Sequence, residues 1–179
     1  KVFPPLRTKK DQEALFKAIE DGTIDCISSH HMPQDWDAKT IEFENAKAGI
    51  ASIETSFATI QHLFPKLSDN RISELFSLNT RSIFKLENEG ITEGAVADLT
   101  FYNKTETTLL SQKDSKSKSA NSPFWDIKLT GKIKGVFSKG PRTTPHDTVA
   151  HLPDTCVAAQ LNNLSGPFHA RRFAAPMAV

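Results

Sequence analysis

The sequence is short of cysteine, glycine and unbroken apolar runs, and each shortage closes off a class of protein. Of 179 residues only Cys26 and Cys156 are cysteine, too few for a disulfide framework. No apolar stretch approaches the ~20 residues that a helix needs to cross a bilayer. Lys1-Val2-Phe3-Pro4-Pro5 carries a positive charge with no apolar segment after it. No secretory signal is therefore expected, and the cytoplasm is the expected compartment. The formal net charge is only +1, and no basic cluster is interleaved with aromatics, which argues against a nucleic-acid partner. Lys113–Lys118 mixes Lys with Ser and Asp and reads as a solvated loop. Neither G-x-S-x-G, a P-loop nor G-x-G-x-x-G occurs, so nothing announces a nucleophile elbow or a phosphate cradle.

What is present is core material. Hydrophobic residues make up 38% of the chain and charged residues 24%, with 12 Phe, a globular composition. Up to about Glu89 the pattern is mainly helical. Leu15 and Ile19, with Ala14 and Ala18, lie one turn apart on a predicted helix over 11–21, which Gly22 stops. Ile24–Ser29 reads as a strand in which Cys26 is a buried, inert thiol. Ile50, Ile53, Phe57, Ile60 and Phe64 fall at helical spacing up to Pro65. Ser68 or Asp69 caps a next helix carrying Ile72, Leu75 and Phe76 inward, and a short helix with Ile83 and Phe84 follows.

From about Gly90 to Gly140 the period changes to two. Ala97, Leu99 and Phe101 alternate with Asp98, Thr100 and Tyr102, and Leu129, Ile133 and Phe137 lie on a strand whose other face carries Lys132 and Lys134. This predicts a small antiparallel β unit after an α/β unit. Residues 141–179 contain no Lys, no Glu and no Ile, a break in composition that sets them apart as an unassigned tail. A frameshifted reading, a fusion scar or a vector-derived extension is expected, non-native or disordered, with a lineage-specific tail as the alternative, and these residues are left out of fold reasoning. One parallel strand cannot bury a sheet face by itself, so its partner strands are expected upstream in a longer parent.

Several stretches, in order, resemble one family. Lys1–Arg7 (Lys-Val-Phe-Pro-Pro-Leu-Arg) is similar to an N-P-P-L-R loop. Ile24–Gln34 resembles a strand ending in D-H-A-P-H, and Ser117–Phe124 (Ser-Lys-Ser-Ala-Asn-Ser-Pro-Phe) resembles S-K-S-x-N-S-P-F. Gly94–Leu99 matches the G-x-x-A-D-L entry into the β-sandwich of many amidohydrolases, and Asn79-Thr80-Arg81 stands where N-P-A is usual. Together these resemble the dihydroorotases, cyclic amidohydrolases of pyrimidine synthesis, from Lys1 to about Gly140.

The resemblance implies an α/β fold: residues 1–89 as the C-terminal part of a (β/α)₈ barrel, and residues 90–140 as part of a small β-sandwich, with chemistry at the C-terminal strand ends. In the family, zinc makes a water nucleophilic toward the cyclic amide, and an Asp at the end of strand eight acts as base and then acid. Here that position is His30. The loop His that holds substrate is Gln34, and the Asn before the two prolines is Phe3. Losing a general base costs ~10²–10⁴-fold in rate. The expectation is therefore no intact catalytic residue, no metal ligand and no zinc in this chain, Phe3 and Gln34 being degenerate substrate positions. The implied role is a non-catalytic scaffold partnered by aspartate carbamoyltransferase, from a homodimeric parent. The rival is an active cyclic amidohydrolase in the full-length parent, with His30 as an alternative base.

Other polar residues invite simpler readings. His30 and His31, as neighbours on a strand, point to opposite faces and cannot easily share an ion. His62 is a surface residue of its helix, and Asp35, Asp37 and Glu42 belong to a solvated loop. His146, His151 and His169 lie in the tail with no zinc-module spacing.

Overall fold

Thr8 opens the first helix, α1 (Lys9–Glu20), through a capping box. Its hydroxyl accepts from the Asp11 amide while its own N–H donates to the Asp11 carboxylate, at 3.1 Å for the latter. The helix ends at Asp21, Gly22 follows at φ 86° as the left-handed stop, and the Ile24 amide returns to the Ala18 carbonyl at 2.9 Å. The computed structural model describes residues 1–86, 91, 98–137, 157–159 and 173–174. Of the expected inward stripe, Ile19 and Ala18 pack on the core and Leu15 and Ala14 do not. Leu15 and Ala14 are exposed, whereas Ile19 is buried and Phe16 packs edge-on against Phe64 with centroids 4.9 Å apart.

The predicted strand over 24–29 contracts to β1 (Cys26–Ile27). Both residues are buried, and burial pushes the Cys26 thiol above its ordinary range, as expected of an inert cysteine. The predicted helix from Ile50 begins six residues later, as α2 (Ser56–Leu63). The intervening backbone is already committed: Ile50 forms a parallel bridge with His31, and the Ala51 amide donates to the Asn121 carbonyl at 2.9 Å. A residue whose N–H and C=O face a neighbouring segment cannot also feed a helical ladder.

Ser68 caps the next run by accepting from the Arg71 amide. The two predicted helices there join without a break: α3 (Asp69–Ser73), a π-helical turn (Glu74–Leu78) and α4 (Asn79–Phe84), closed by Lys85 at φ 53°. Ile72 and Leu75 are buried inward as expected. Arg71 locks this run to the α1–β1 step. Its Nε donates to the Ile19 carbonyl at 3.1 Å, Nη2 to the Ile24 carbonyl at 2.6 Å, and Nη1 to Glu74 at 2.9 Å. Asn79 Nδ2 adds a bond to the Asp25 carbonyl at 2.8 Å.

The β unit pairs β2 (Leu99–Leu109) antiparallel with β3 (Lys128–Phe137), from Leu99↔Phe137 to Leu109↔Lys128. The register slips between Asn103 and Thr107, where buried Asn103 Oδ1 accepts the amides of Thr105 and Glu106, both at 2.9 Å. The side chain supplies the partners that the bulge removes. Two segments of the tail are also strands. β4 (Val157–Ala159) adds antiparallel to β2, and β5 (Phe173–Ala174) pairs parallel with β1. The other tail residues, like Gly94–Ala97 of the β-sandwich motif, lie outside the described residues.

Helix α2 is the hinge of the packing. Phe57, Ile60 and Phe64 join Ile19, Ile24, Ile27, Leu75 and Tyr102 in the main core, while Ala58 on another face meets Phe124 and Leu129 of the β unit. Gly131 lets β3 approach: a Cβ there would lie 2.8 Å from Gln61 Cβ and 3.2 Å from the Phe57 ring. Tyr102, fully buried, reaches the α3 terminus by donating its hydroxyl to Asp69 at 3.0 Å, and burial pushes that hydroxyl's pKa up. Arg71→Lys keeps the charge but loses the fork that spans two carbonyls. It is expected to cost about 1–3 kcal/mol, read as a lower urea midpoint at unchanged slope.

Candidate functional site

Where the chain leaves β1, the strand ends and an irregular stretch carries the backbone to α2. His30 follows at φ 44°, left-handed backbone that a non-glycine residue adopts at a cost. Its amide donates to the Ser28 hydroxyl at 3.2 Å, and its side chain is exposed. His31 is half-buried, and its Nδ1 accepts the amides of Ser52 at 3.1 Å and Ile53 at 3.3 Å. The neutral ring's proton therefore sits on Nε2. The two histidines are not neighbours on a strand, so the expected opposite strand faces do not apply to them. Both lie beyond the strand, one on left-handed backbone and one held by its ring nitrogen.

Gln34 turns inward. Its Nε2 donates to the Ala48 carbonyl at 3.1 Å, its amide to Asn121 Oδ1 at 3.1 Å, and its carbonyl accepts from the Ser119 hydroxyl at 2.6 Å. Gly49 makes this closeness possible. At φ 134° it has no Cβ, and one placed there would stand 2.5 Å from the Met32 carbonyl oxygen. The Gly49 amide donates to the Lys1 carbonyl at 3.1 Å, so the N-terminal loop and the Gln34 loop meet at this residue.

Lys39 binds the same junction from below. Its ammonium donates to the carbonyls of Lys1, Lys47 and Gly49 at 3.0–3.1 Å. Lys1 in turn donates to the Phe43 and Glu44 carbonyls, with its charge 5.2 Å from the Phe43 ring centroid. Phe3 projects outward, 70% exposed. The structure thus gathers the loops of Phe3 and Gln34 around Gly49. His30 is exposed on its turn, and Asp35, Asp37 and Glu42 are exposed as expected of a solvated loop. His62 is exposed too, its Nδ1 accepting the Thr130 amide at 3.4 Å.

Asn121, Gly49 and Lys39 were not singled out from sequence. Asn121 alone carried a signal, through its place in the Ser117–Phe124 stretch. Among the described residues, no group of three or more His, Cys, Asp or Glu side chains stands together to hold a metal ion, so these residues do not fit the zinc pair that the resemblance implies.

Comparison with solved structures shows the fold. A D-hydantoinase (dihydropyrimidinase) from Thermus sp. superposes with a TM-score of 0.72 at 24% identity, over 80% of this chain and 33% of that one. The dihydropyrimidinase of Brevibacillus agri does so at 0.71 and 22%, over 80% and 33%. The described residues share their fold with about a third of each of these enzymes, as a small mixed α/β piece. No protein-family model matches the chain.

Sequence carries the relation further. The chain is 35% identical over 143 residues to the dihydroorotase of Caldanaerobacter subterraneus subsp. tengcongensis, and 36% identical over 143 residues to that of Elusimicrobium minutum. In both, the match takes in 78% of this chain and 33% of the relative. The chain is thus a homologue of dihydroorotases, and it spans about a third of the length of the curated relatives it matches.

Gly49→Ala forces a Cβ into the Met32 backbone at a left-handed position. It is expected to lower stability by about 2 kcal/mol or more, measured by chemical denaturation.

Proposed function

We propose that this chain is the C-terminal portion of a dihydroorotase-like protein that no longer hydrolyses a cyclic amide and acts as a scaffold. The observation that carries the reading is Gln34. In the position where the family resemblance implies a substrate-holding His, its amide group is committed to the Ala48 carbonyl, inside the protein. His30, at the position of the general base, stands exposed on left-handed backbone. An aspartate can bind metal as an anion while accepting the attacking water's proton, and a neutral imidazole has neither the charge nor the second oxygen to do both. Phe3 offers an apolar ring where an amide would pair with substrate, leaving that substrate's polar groups unsatisfied.

No step is assigned to zinc, since the described residues do not gather the ligands for it. The partner this reading supplies is aspartate carbamoyltransferase, bound by a homodimeric parent in the cytoplasm. Similarity to proteins named dihydroorotase favours a second reading, an active cyclic amidohydrolase in the longer parent with His30 as an alternative base. Fold alone does not choose between them.

The test is the hydrolysis of dihydroorotate by the full-length parent. The unsubstituted protein and His30→Asp alone are both expected to stay at background, because defects at one transition state are strongly non-additive. Phe3→Asn, His30→Asp and Gln34→His together ask whether the barrel is otherwise competent. Turnover at ordinary enzyme rates, ~1–10³ s⁻¹, from either of the first two proteins would overturn the scaffold reading in favour of the active one.

A further inference from the structure

The loop between β2 and β3 reaches across the molecule to the mouth of β1, and one residue makes most of that connection. Asn121 Oδ1 accepts the Gln34 amide at 3.1 Å, Nδ2 donates to the Gly49 carbonyl at 3.0 Å, and the Asn121 carbonyl accepts the Ala51 amide at 2.9 Å. Ser119 stands beside Asn121 Oδ1 and donates to the Gln34 carbonyl at 2.6 Å. One turn of the β unit thereby satisfies main-chain groups at Gln34, Gly49 and Ala51, on both sides of the loop that carries Lys39. None of those groups has a ladder of its own. On the outer side the same turn is held by Trp125, whose indole N–H donates to the Ala120 carbonyl at 2.8 Å. Further out, Glu54 accepts from the Ser115 hydroxyl and the Lys116 amide.

We infer that Asn121 is a positioning residue, and that residues 117–122 are a strap by which the β unit fixes the loop bearing His30, His31 and Gln34. The geometry explains why an amide stands there. Only a side chain that accepts and donates at once can join the Gln34 N–H to the Gly49 C=O. The proposal draws on the preceding reading only in calling this loop the mouth of the site. Its test reads loop order rather than turnover, so either can fail alone.

The test is hydrogen exchange on the full chain. Asn121→Ala removes both functions of the side chain. It is expected to lower protection of the Gln34 amide about tenfold or more, the scale of one lost hydrogen bond, while β2–β3 amides keep theirs. Asn121→Asp keeps the acceptor and sets a carboxylate oxygen against the Gly49 carbonyl. Near neutral pH it should loosen the 48–51 side while protecting Gln34. Below the carboxyl's pKa, near 4 for an ordinary Asp, the protonated acid donates again and protection returns. A merely space-filling role would not produce that acid rescue. Trp125→Phe, in the same turn but off the mouth, should leave Gln34 protection unchanged. Unchanged Gln34 protection in Asn121→Ala would overturn the proposal, as would uniform loss across β2–β3, or equal loosening by Trp125→Phe.

Discussion

The backbone between β1 and α2 has no ladder to satisfy it, and the structure around the candidate site is a response to that constraint. Long irregular stretches inside a folded unit are uncommon, because each buried N–H and C=O left without a partner carries a penalty. Here side chains supply the partners. Lys39 serves three carbonyls, His31 takes two amides on one ring nitrogen, Ser52 Oγ donates to the Ser29 carbonyl at 2.7 Å, and the Asn121 amide serves two main-chain groups. These main-chain donors and acceptors at the end of β1 are thus engaged within the loop and its neighbours.

That engagement depends on parts distant in sequence. The α1–β1 step is held by the guanidinium of Arg71 and the amide of Asn79, both on the helical run after α2. The π-helical turn carries that run from α3 into α4 while Leu75 remains in the core. On the other side, the β unit packs on α2 through Gly131 and on the loop through Asn121. Helix α2 therefore lies between two layers, with apolar residues on more than one face, which is why Phe57, Ala58 and Ile60 are all buried.

Much of the frame is legible in the sequence, and the failures have physical causes. The Gly22 stop, the Ser68 cap and the two long strands follow from local chemistry that tertiary contacts leave in place. Ile50 and Ile53 have helical spacing, but spacing cannot show that Ile50 would pair with His31 and Ala51 with Asn121, so the helix begins only at Ser56. Leu15 looks as apolar as Phe16, yet the ring of Phe64 makes Phe16 the inward residue. Phe3, His30 and Gln34 were found through family likeness. Their settings were not: the inward amide at Gln34 is set by contacts with Ala48, Ser119 and Asn121, and nothing in the local sequence announces the left-handed backbone at His30.

The central proposal is that the polar groups at the mouth of β1 are held by one another too firmly to turn to a substrate. Titration of dihydroorotate into the isotopically labelled full chain, followed by NMR at the His30 and His31 rings and the Gln34 side-chain amide, tests this directly. The account predicts that these resonances stay in place up to millimolar ligand and that the Gln34 amide keeps its bond to Ala48. Saturable shifts at Gln34 and His30 together would contradict it, by showing that the loop gives up its internal partners for a substrate.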